Sequence, residues 1–418
     1  MRKRWYTRLD WLTLLLWAAV VGFGLVAIYS ATHGPASQFL LLTVQNNFSR
    51  QLIWAGVSLA VMVVVLMLPA RFFQTMAYPA YALSLLLIVA ALVFGREING
   101  SRSWIFIGPF SLQSSEVAKV GTMLAIAHLF GSAREQASVL GRTFLGVGLL
   151  LLPALLIVLQ NDTGTALVFI GAVPFILFWS GIPLSIVAIL VSPPIAGYLA
   201  VVHLPSAIAF AILFAIGMYF GTRQRSLAIA GLVAAGGTAL LASFALTRVL
   251  QPHQVARIVS FLDPEAYRFT SGFHVIQARA AIGSGGLTGK GFMQGTQTQM
   301  AFVPEQSTDF VFSVIGEEFG FIGSFALLCL LGFLMIRLIV LGMQSRHQFA
   351  VLFAAGTVGI LFVHVLINVG MTVGVMPVIG IPLPFVSYGG SALLANTTLL
   401  AIVLNLNMRR DEFPRYGI

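Results

Sequence analysis

The stretch LTLLLWAAVVGFGLVAIYSA, Leu12 to Ala31, carries no charge and lies just after the basic start MRKRWYTR. Two readings compete for it, a secretory leader and a membrane-spanning helix. Its apolar run exceeds the ~7–15 residues of a leader core and matches the ~20 residues needed to cross a hydrocarbon core. Windows of the same kind recur to the far end of the chain. The stretch therefore reads as the uncleaved first helix of a multi-pass protein.

Working outward, composition agrees. The chain has 418 residues, 58% hydrophobic and 9% charged, with a mean hydropathy of +0.96, whereas a soluble domain has about 25% charged residues. A transmembrane barrel would show alternating segments about half as long. The expected fold is all-α: a polytopic helical bundle forming one membrane-embedded domain over residues 1–418. Spans are predicted near 11–30, 51–69, 76–95, 115–131, 144–160, 165–180, 183–203, 205–221, 226–247, 318–341, 350–371 and 388–407. The pair at 183–221 is interrupted by Ser192-Pro193-Pro194 and by His203-Leu204-Pro205.

Twelve spans return both termini to one side. Basic residues mark inner loops, so Arg2, Lys3, Arg4, Arg8, Arg71, Arg223, Arg225, Arg409 and Arg410 put that side in the cytoplasm. The net charge of +10 follows from this bias. No basic run beyond the N-terminus is dense enough to track a nucleic-acid backbone, which excludes that partner. The single cysteine, Cys329, falls in a predicted span and excludes an intrachain disulfide.

A polar loop, REINGSRSWIFIGPFSLQSSEVAKV from Arg96, is expected to join the third and fourth spans on the outer side. Some cations fall on that side too, among them Arg50, Arg102 and Lys290. Arg102 and Lys290 sit in short Gly-rich turns and suit an anion, as arginine forks suit phosphates. One loop, 248–307, dominates that side. Its apolar positions Phe273, Ile276, Ala280 and Ala281 predict a short amphipathic helix on the outer surface. GSGGLTGKG, Gly283 to Gly291, then reads as a flexible turn whose N–H groups could approach an anion.

Charge is scarce here, so its clusters are informative. Glu116 and Lys119 stand three apart at a helix start and share a face; they are either a functional pair or a tie between helices. Asp162, before Thr-Gly, reads as a helix cap. FVPEQSTDFVFSVIGEEFG, Phe302 to Gly320, gathers four of the thirteen acids. Ser307 or Thr308 is the expected N-cap, with Asp309 in the first turn, where the helix dipole favours its ionised form. Spacing leaves two readings of Asp309 open: a general base beside Glu305, or an ordinary N-terminal helix charge. GEEFG, 316–320, marks a bend that Glu317 and Glu318 organise. GVMPVIGIPLPFVSYGGSALLANTTLL, from Gly374, with its three prolines and Ser387, reads as a broken helix lining a cavity.

NGSRSWIFIGPFSLQSSEVAKV, LQNDTGTALV, AIGSGGLTGKGF, FVPEQSTDFVFSVIGEEFGFIG and GIPLPFVSYGGSALLAN together resemble the shape, elongation, division and sporulation (SEDS) family, RodA/FtsW/SpoVE. DWLTLLLWAAVVGFGLVAIYSA and KGFMQGTQTQMAFVPEQSTDF are more similar to its elongation members. Ser114 and Asn161 stand where the family has proline. The family has ten spans, and the segment between Asp162 and Arg257 is long enough for one additional hairpin.

The resemblance implies a peptidoglycan glycosyltransferase in the bacterial inner membrane, polymerising lipid II on the outer face during cell elongation. It implies Asp309 as the catalytic base of an inverting displacement of undecaprenyl diphosphate. Arg50, Arg102, Lys119 and Lys290 are the candidate cations around the diphosphate, with Glu116 orienting Lys119, and Glu305 and Ser387 lining the substrate site. Its partners would be lipid II, the nascent glycan, membrane lipid and a class B penicillin-binding protein. It implies no definite cofactor; a divalent cation, Mg or Mn, could share the diphosphate, though no metal-ligand cluster is visible in the sequence. The alternative function is a lipid II flippase, which must hold the same lipid.

Overall fold

The computed structural model describes residues 8–35, 37, 40–98, 100–108, 110–131, 139–248, 261–263, 265–267, 272–345 and 347–412. The basic start, Arg2 to Arg4, and much of the first half of the 248–307 loop lie outside them. Helices α1 (Trp11–Thr32), α2 (Asn47–Met67) and α3 (Ala77–Phe94) open the chain. Three strands follow, β1 (Arg96–Ile98), β2 (Ser101–Ile107) and β3 (Phe110–Gln113), then α4 (Ser114–Gly131), α5 (Val139–Leu159) and α6 (Thr163–Trp179). Next come α7 (Leu184–Val202), α8 (Leu204–Thr222), α9 (Arg225–Arg248) and α10 (Phe273–Gly285). The long helices α11 (Val311–Gln344), α12 (Gln348–Val373) and α13 (Gly390–Met408) close it. Every predicted span thus falls on a helix. Among the described residues, nine helices are long and apolar enough to cross a membrane, and α5 and α6 carry shorter apolar stretches.

The chain divides into two compact units, one of residues 174–276 and one of the rest. In the smaller unit, α7, α8 and α9 meet through Ala196, Ala200, Ala207, Ala211, Ala235 and Ala239. Side chains this small let backbones approach closely, which drives helix association where lipid is as apolar as leucine. Leu213, Val233 and Leu241 point outward, as lipid-facing residues must. Pro193 and Pro194 sit inside α7 without ending it; the helix ends instead at His203, whose backbone is extended.

In the larger unit, α13 and α12 are the most enclosed of the candidate spans. Helix α13 packs on α2, α11, α12 and α4, and α4 packs on α3, α5 and α12. At one end, Asp10 caps α1 through Thr13 N at 3.0 Å and takes Arg337 Nε at 3.1 Å, tying α1 to α11. Asn405 at the end of α13 donates to the carbonyls of Val65 and Leu68, both at 2.8 Å, where α2 runs out.

Two local expectations are corrected. The loop between α3 and α4 is a three-stranded antiparallel sheet in the order β1-β2-β3, with Trp104 opposite Gln113 and Ile105 opposite Leu112. The β-branched and aromatic run Trp104 to Ile107, with Asn-Gly and Gly-Pro dipeptides on either side of it in the sequence, carries that signal. Helix α10 exists where expected, but Ala280, placed on its apolar face, is exposed beside Arg279. The helix buries Ala278 and Ala281 against Val303, Phe310 and Val378, a packed interface that its small residues fit.

Candidate functional site

Residues 304–310 form a succession of turns ahead of α11. Glu305 has φ +49°, and its carbonyl accepts from Thr308 N at 3.1 Å and Phe310 N at 3.2 Å. A non-glycine residue in this region is costly, and such residues collect at functional sites. Three neighbours hold the turn: Gln306 Nε2 donates to Ala31 O at 2.8 Å, Asn47 Nδ2 to Ser307 Oγ at 3.0 Å, and Tyr388 N to Ser307 O at 2.8 Å. The helix begins at Val311 with Phe310 at its cap and no side-chain cap bond. Asp309 therefore precedes the first turn, and neither Ser307 nor Thr308 caps it.

The charge state of Asp309 is corrected with its position. Its carboxylate lies in a recess against Gly380, where a Cβ would stand 3.1 Å from Oδ2. Gly380 has φ +77°, a conformation that favours glycine, and a Cβ there would press on the carboxylate. Burial, helped by the nearby charge of Glu305, pushes the Asp309 carboxyl up to about 7. Desolvation thus makes this carboxyl hold its proton more tightly than one at an open helix start. Glu305 is exposed, and its carboxylate accepts from Thr308 Oγ1 at 2.8 Å.

The segment between α12 and α13 is non-helical, as its prolines predict. Ser387 is buried, and its Oγ accepts from Leu383 N at 2.8 Å. Gln51 of α2 brackets the segment, donating to Ser387 O at 3.2 Å and accepting from Gly389 N at 3.1 Å. Arg50, beside it in the first turn of α2, is exposed. These bonds bring Asp309, Glu305, Ser387 and the Arg50 turn together.

The other candidates stand apart from that turn. Lys119 is wholly enclosed, with Nζ 2.7 Å from Glu116 Oε2 and 3.1 Å from His364 Nε2. Arg102 lies on β2 with its guanidinium exposed, 3.4 Å from Glu97, while its N–H donates to Gln160 O at 3.1 Å. Lys290 binds Glu317 Oε1 and Thr296 Oγ1, each at 2.7 Å. Asp162 caps α6 through Thr165 N at 3.1 Å, as its context predicts, and takes Gln113 Nε2 at 2.8 Å.

The bend at GEEFG is a break at Gly320, φ +65° and ψ −161°. An unbroken helix would bond Phe321 N to Glu317 O and Ile322 N to Glu318 O. Instead Lys290 N donates to Glu317 O and Gly291 N to Glu318 O, both at 3.0 Å. Phe321 N and Ile322 N donate to Gly286 O and Leu287 O at 2.9 and 3.0 Å. GSGGLTGKG is therefore no free anion-binding turn; its last N–H groups replace the missing helical donors. Glu317, fully buried, takes Gln297 N and Thr298 N at 2.9 Å as well as Lys290. Glu318 takes Ser30 Oγ and Gln299 Nε2.

Asn47, Gln51, His364, Asn368 and Gly380 were not singled out in the sequence. The polar residues among them sit in or beside apolar runs, where their cost is a usable signal. Among the described residues, no three His, Cys, Asp or Glu side chains come together to hold a metal ion. The turn offers two carboxylates, Glu305 and Asp309.

A family model described as "Cell cycle protein", FtsW/RodA/SpoVE, matches residues 10–210 and 204–412. The chain belongs to this family. It is 31% identical to peptidoglycan glycosyltransferase RodA of Treponema pallidum (strain Nichols), over 98% of this chain and 100% of that one. It is 30% identical to peptidoglycan glycosyltransferase MrdB of Escherichia coli (strain K12), over 97% and 95%. A solved structure, described as structural coordination of polymerization and crosslinking by a peptidoglycan synthase complex, superposes with a TM-score of 0.73. Its identity is 32%, over 96% of this chain and 98% of that one. Family, helical fold and multi-pass membrane character agree across these comparisons.

Proposed function

We propose that this chain is a peptidoglycan glycosyltransferase that polymerises lipid II at the membrane surface, with Asp309 as general base. The observation that carries the reading is a single carboxyl, recessed against Gly380 and raised to about 7, near the working pH at which a base is most effective. Asp309 takes the proton of the acceptor's sugar 4-hydroxyl as that oxygen attacks the donor's anomeric carbon. The bond to the lipid diphosphate breaks, and the diphosphate leaves with the electron pair. Attack from the face opposite the leaving group inverts the α-linked donor into a β-linked product in one displacement. One base suffices, unlike the paired carboxylates of a glycosidase.

The leaving diphosphate requires positive charge. Arg50 and Arg102 have exposed guanidinium groups for it. Lys119 and Lys290 are held by Glu116 and Glu317 and act on the site through what they position. The names of the relatives support the reaction class, and the synthase complex supports a crosslinking partner, a class B penicillin-binding protein. The similarity to RodA and MrdB supports the elongation role. Basic residues at the inner loops support cytoplasmic termini and a site on the outer face.

The test is purified protein with its partner, given lipid II in detergent. Glycan strands should form and fall by about 10²–10⁴-fold in Asp309→Ala, the range of a lost general base. Polymer from Asp309→Ala at the wild-type rate would sink the mechanism. No polymer from wild type, with labelled lipid II crossing vesicles instead, would favour transport.

A further inference from the structure

Two polar side chains on α12, His364 and Asn368, are one turn apart and therefore share a face. Both are buried, in a helix whose buried face is otherwise apolar apart from Thr357 and Thr372. Both end on the non-helical segment that carries Gly380. Asn368 Nδ2 donates to Ile381 O at 2.7 Å and to Asp309 O at 2.9 Å, joining the two main chains on either side of the Asp309 recess. His364 Nδ1 lies 3.3 Å from Pro382 O. A carbonyl only accepts, so Nδ1 carries the hydrogen and Nε2 presents its lone pair. That lone pair faces Lys119 Nζ at 3.1 Å, and Lys119 is paired with Glu116 at 2.7 Å.

We propose that His364 and Asn368 form a two-point clamp that positions the 380–382 segment against Asp309. The buried Glu116–Lys119 pair fixes the tautomer of His364 that the clamp needs. The physical case is a matter of main-chain accounting. Carbonyls 381 and 382 sit in a proline-broken segment with no helical donors, inside the protein. A buried carbonyl without a donor is costly, and these two side chains supply donors. Asn368 does a second thing that stability alone does not require: the same amide group also holds the carbonyl of Asp309. Its two hydrogens fix the distance between the proposed base and the glycine it packs against. The pair Glu116 and Lys119 thereby reaches the site through His364 rather than by touching a ligand. Neither α12 residue touches the reacting atoms; both are positioning residues.

This inference rests on the reading of Asp309 as the base, but its test has a readout that does not. In full-length protein, Asn368→Ala and His364→Gln should lower kcat on lipid II roughly ten- to a hundredfold, with KM within about twofold. His364→Asn keeps an amide nitrogen where Nδ1 stood and should retain more activity than His364→Gln, which reaches only the Nε2 position. Separately, the melting temperature is followed against pH for wild type, Asp309→Asn, Asn368→Ala and the double variant. Removing a recessed carboxyl stabilises the wild-type background above neutrality; the clamp predicts that this gain is lost in the Asn368→Ala background. Equal gains in both backgrounds, or kcat within twofold of wild type in both α12 variants, overturn the clamp. Absence of polymer from wild type overturns the proposed reaction instead, and the melting cycle still decides the clamp. If Asn368→Ala does not fold, Asn368→Asp, of nearly the same shape but without the two donors, takes its place in both assays.

Discussion

At the scale of single residues, Asp309 has a protonation equilibrium that two measurements can follow. Its folded carboxyl is raised from 3.8 to about 7, so the folded state holds the proton more tightly than the unfolded chain. Stability from this group is complete below about 3.8 and is lost as pH rises through about 7. Asp309→Asn should therefore raise the melting temperature more above neutrality than in mild acid. The rate should climb with pH up to the same value and then level off. Removing the like charge in Glu305→Gln should move that limb to lower pH, since Glu305 raises the Asp309 carboxyl. The Glu116–Lys119 pair gives a second expectation. Glu116→Gln leaves an enclosed ammonium without its counter-charge, a loss of about 3–5 kcal/mol. Glu116→Gln with Lys119→Met should recover much of it, read as the midpoint of unfolding in detergent. Asp309 stood out in the sequence as an acid at a membrane edge, but spacing left its role open between a base and a helix charge, and only the family resemblance pointed to the base. The roles of His364 and Asn368 were not legible, because their partners Lys119 and Asp309 are remote in the chain, 245 and 59 residues away. Periodicity says nothing about such distances.

At the scale of elements, α11 is the unusual one. At 1.5 Å per residue, its 34 residues would reach about 50 Å, against a hydrocarbon core of about 30 Å. The sequence placed the bend at GEEFG, because Gly flanking two acids interrupts an apolar run. It did not reveal that a segment about thirty residues earlier supplies the missing half of the ladder. A glycine-rich stretch looks flexible in a sequence whether it is free or docked. Gly320 and Gly289 both have positive φ and meet backbone where a Cβ would stand. Gly320→Ala should lower the melting temperature and reduce activity with it, at a cost of about 1–3 kcal/mol from the backbone alone. Gly22→Ala on α1, where nothing lies within 4 Å, should leave both unchanged. The hairpin was equally open to view through Asn99-Gly100 between β-prone residues. The expectation of a plain polar loop there followed from reading the segment by polarity instead of by turn chemistry.

For the molecule as a whole, the sequence predicted the helices almost in full. Hydrocarbon thickness sets a length that recurs along the chain, and that length needs no tertiary information to read. Charge predicts an orientation in the same way, and that orientation can be checked directly. In a Cys329→Ser background, Leu287→Cys should react with a membrane-impermeant maleimide in whole cells. Gln224→Cys should react only after lysis. Both positions are exposed, so the difference reports sidedness rather than burial. The reverse pattern would invert the topology. The splice at Gly320 also bears on exchange with solvent. Amides of Lys290, Gly291, Phe321 and Ile322 belong to one ladder built from two stretches of chain. In deuterated buffer they should lose protection together, as one opening event, with the amides at 290 and 291 exchanging as slowly as those at 321 and 322 inside the helix.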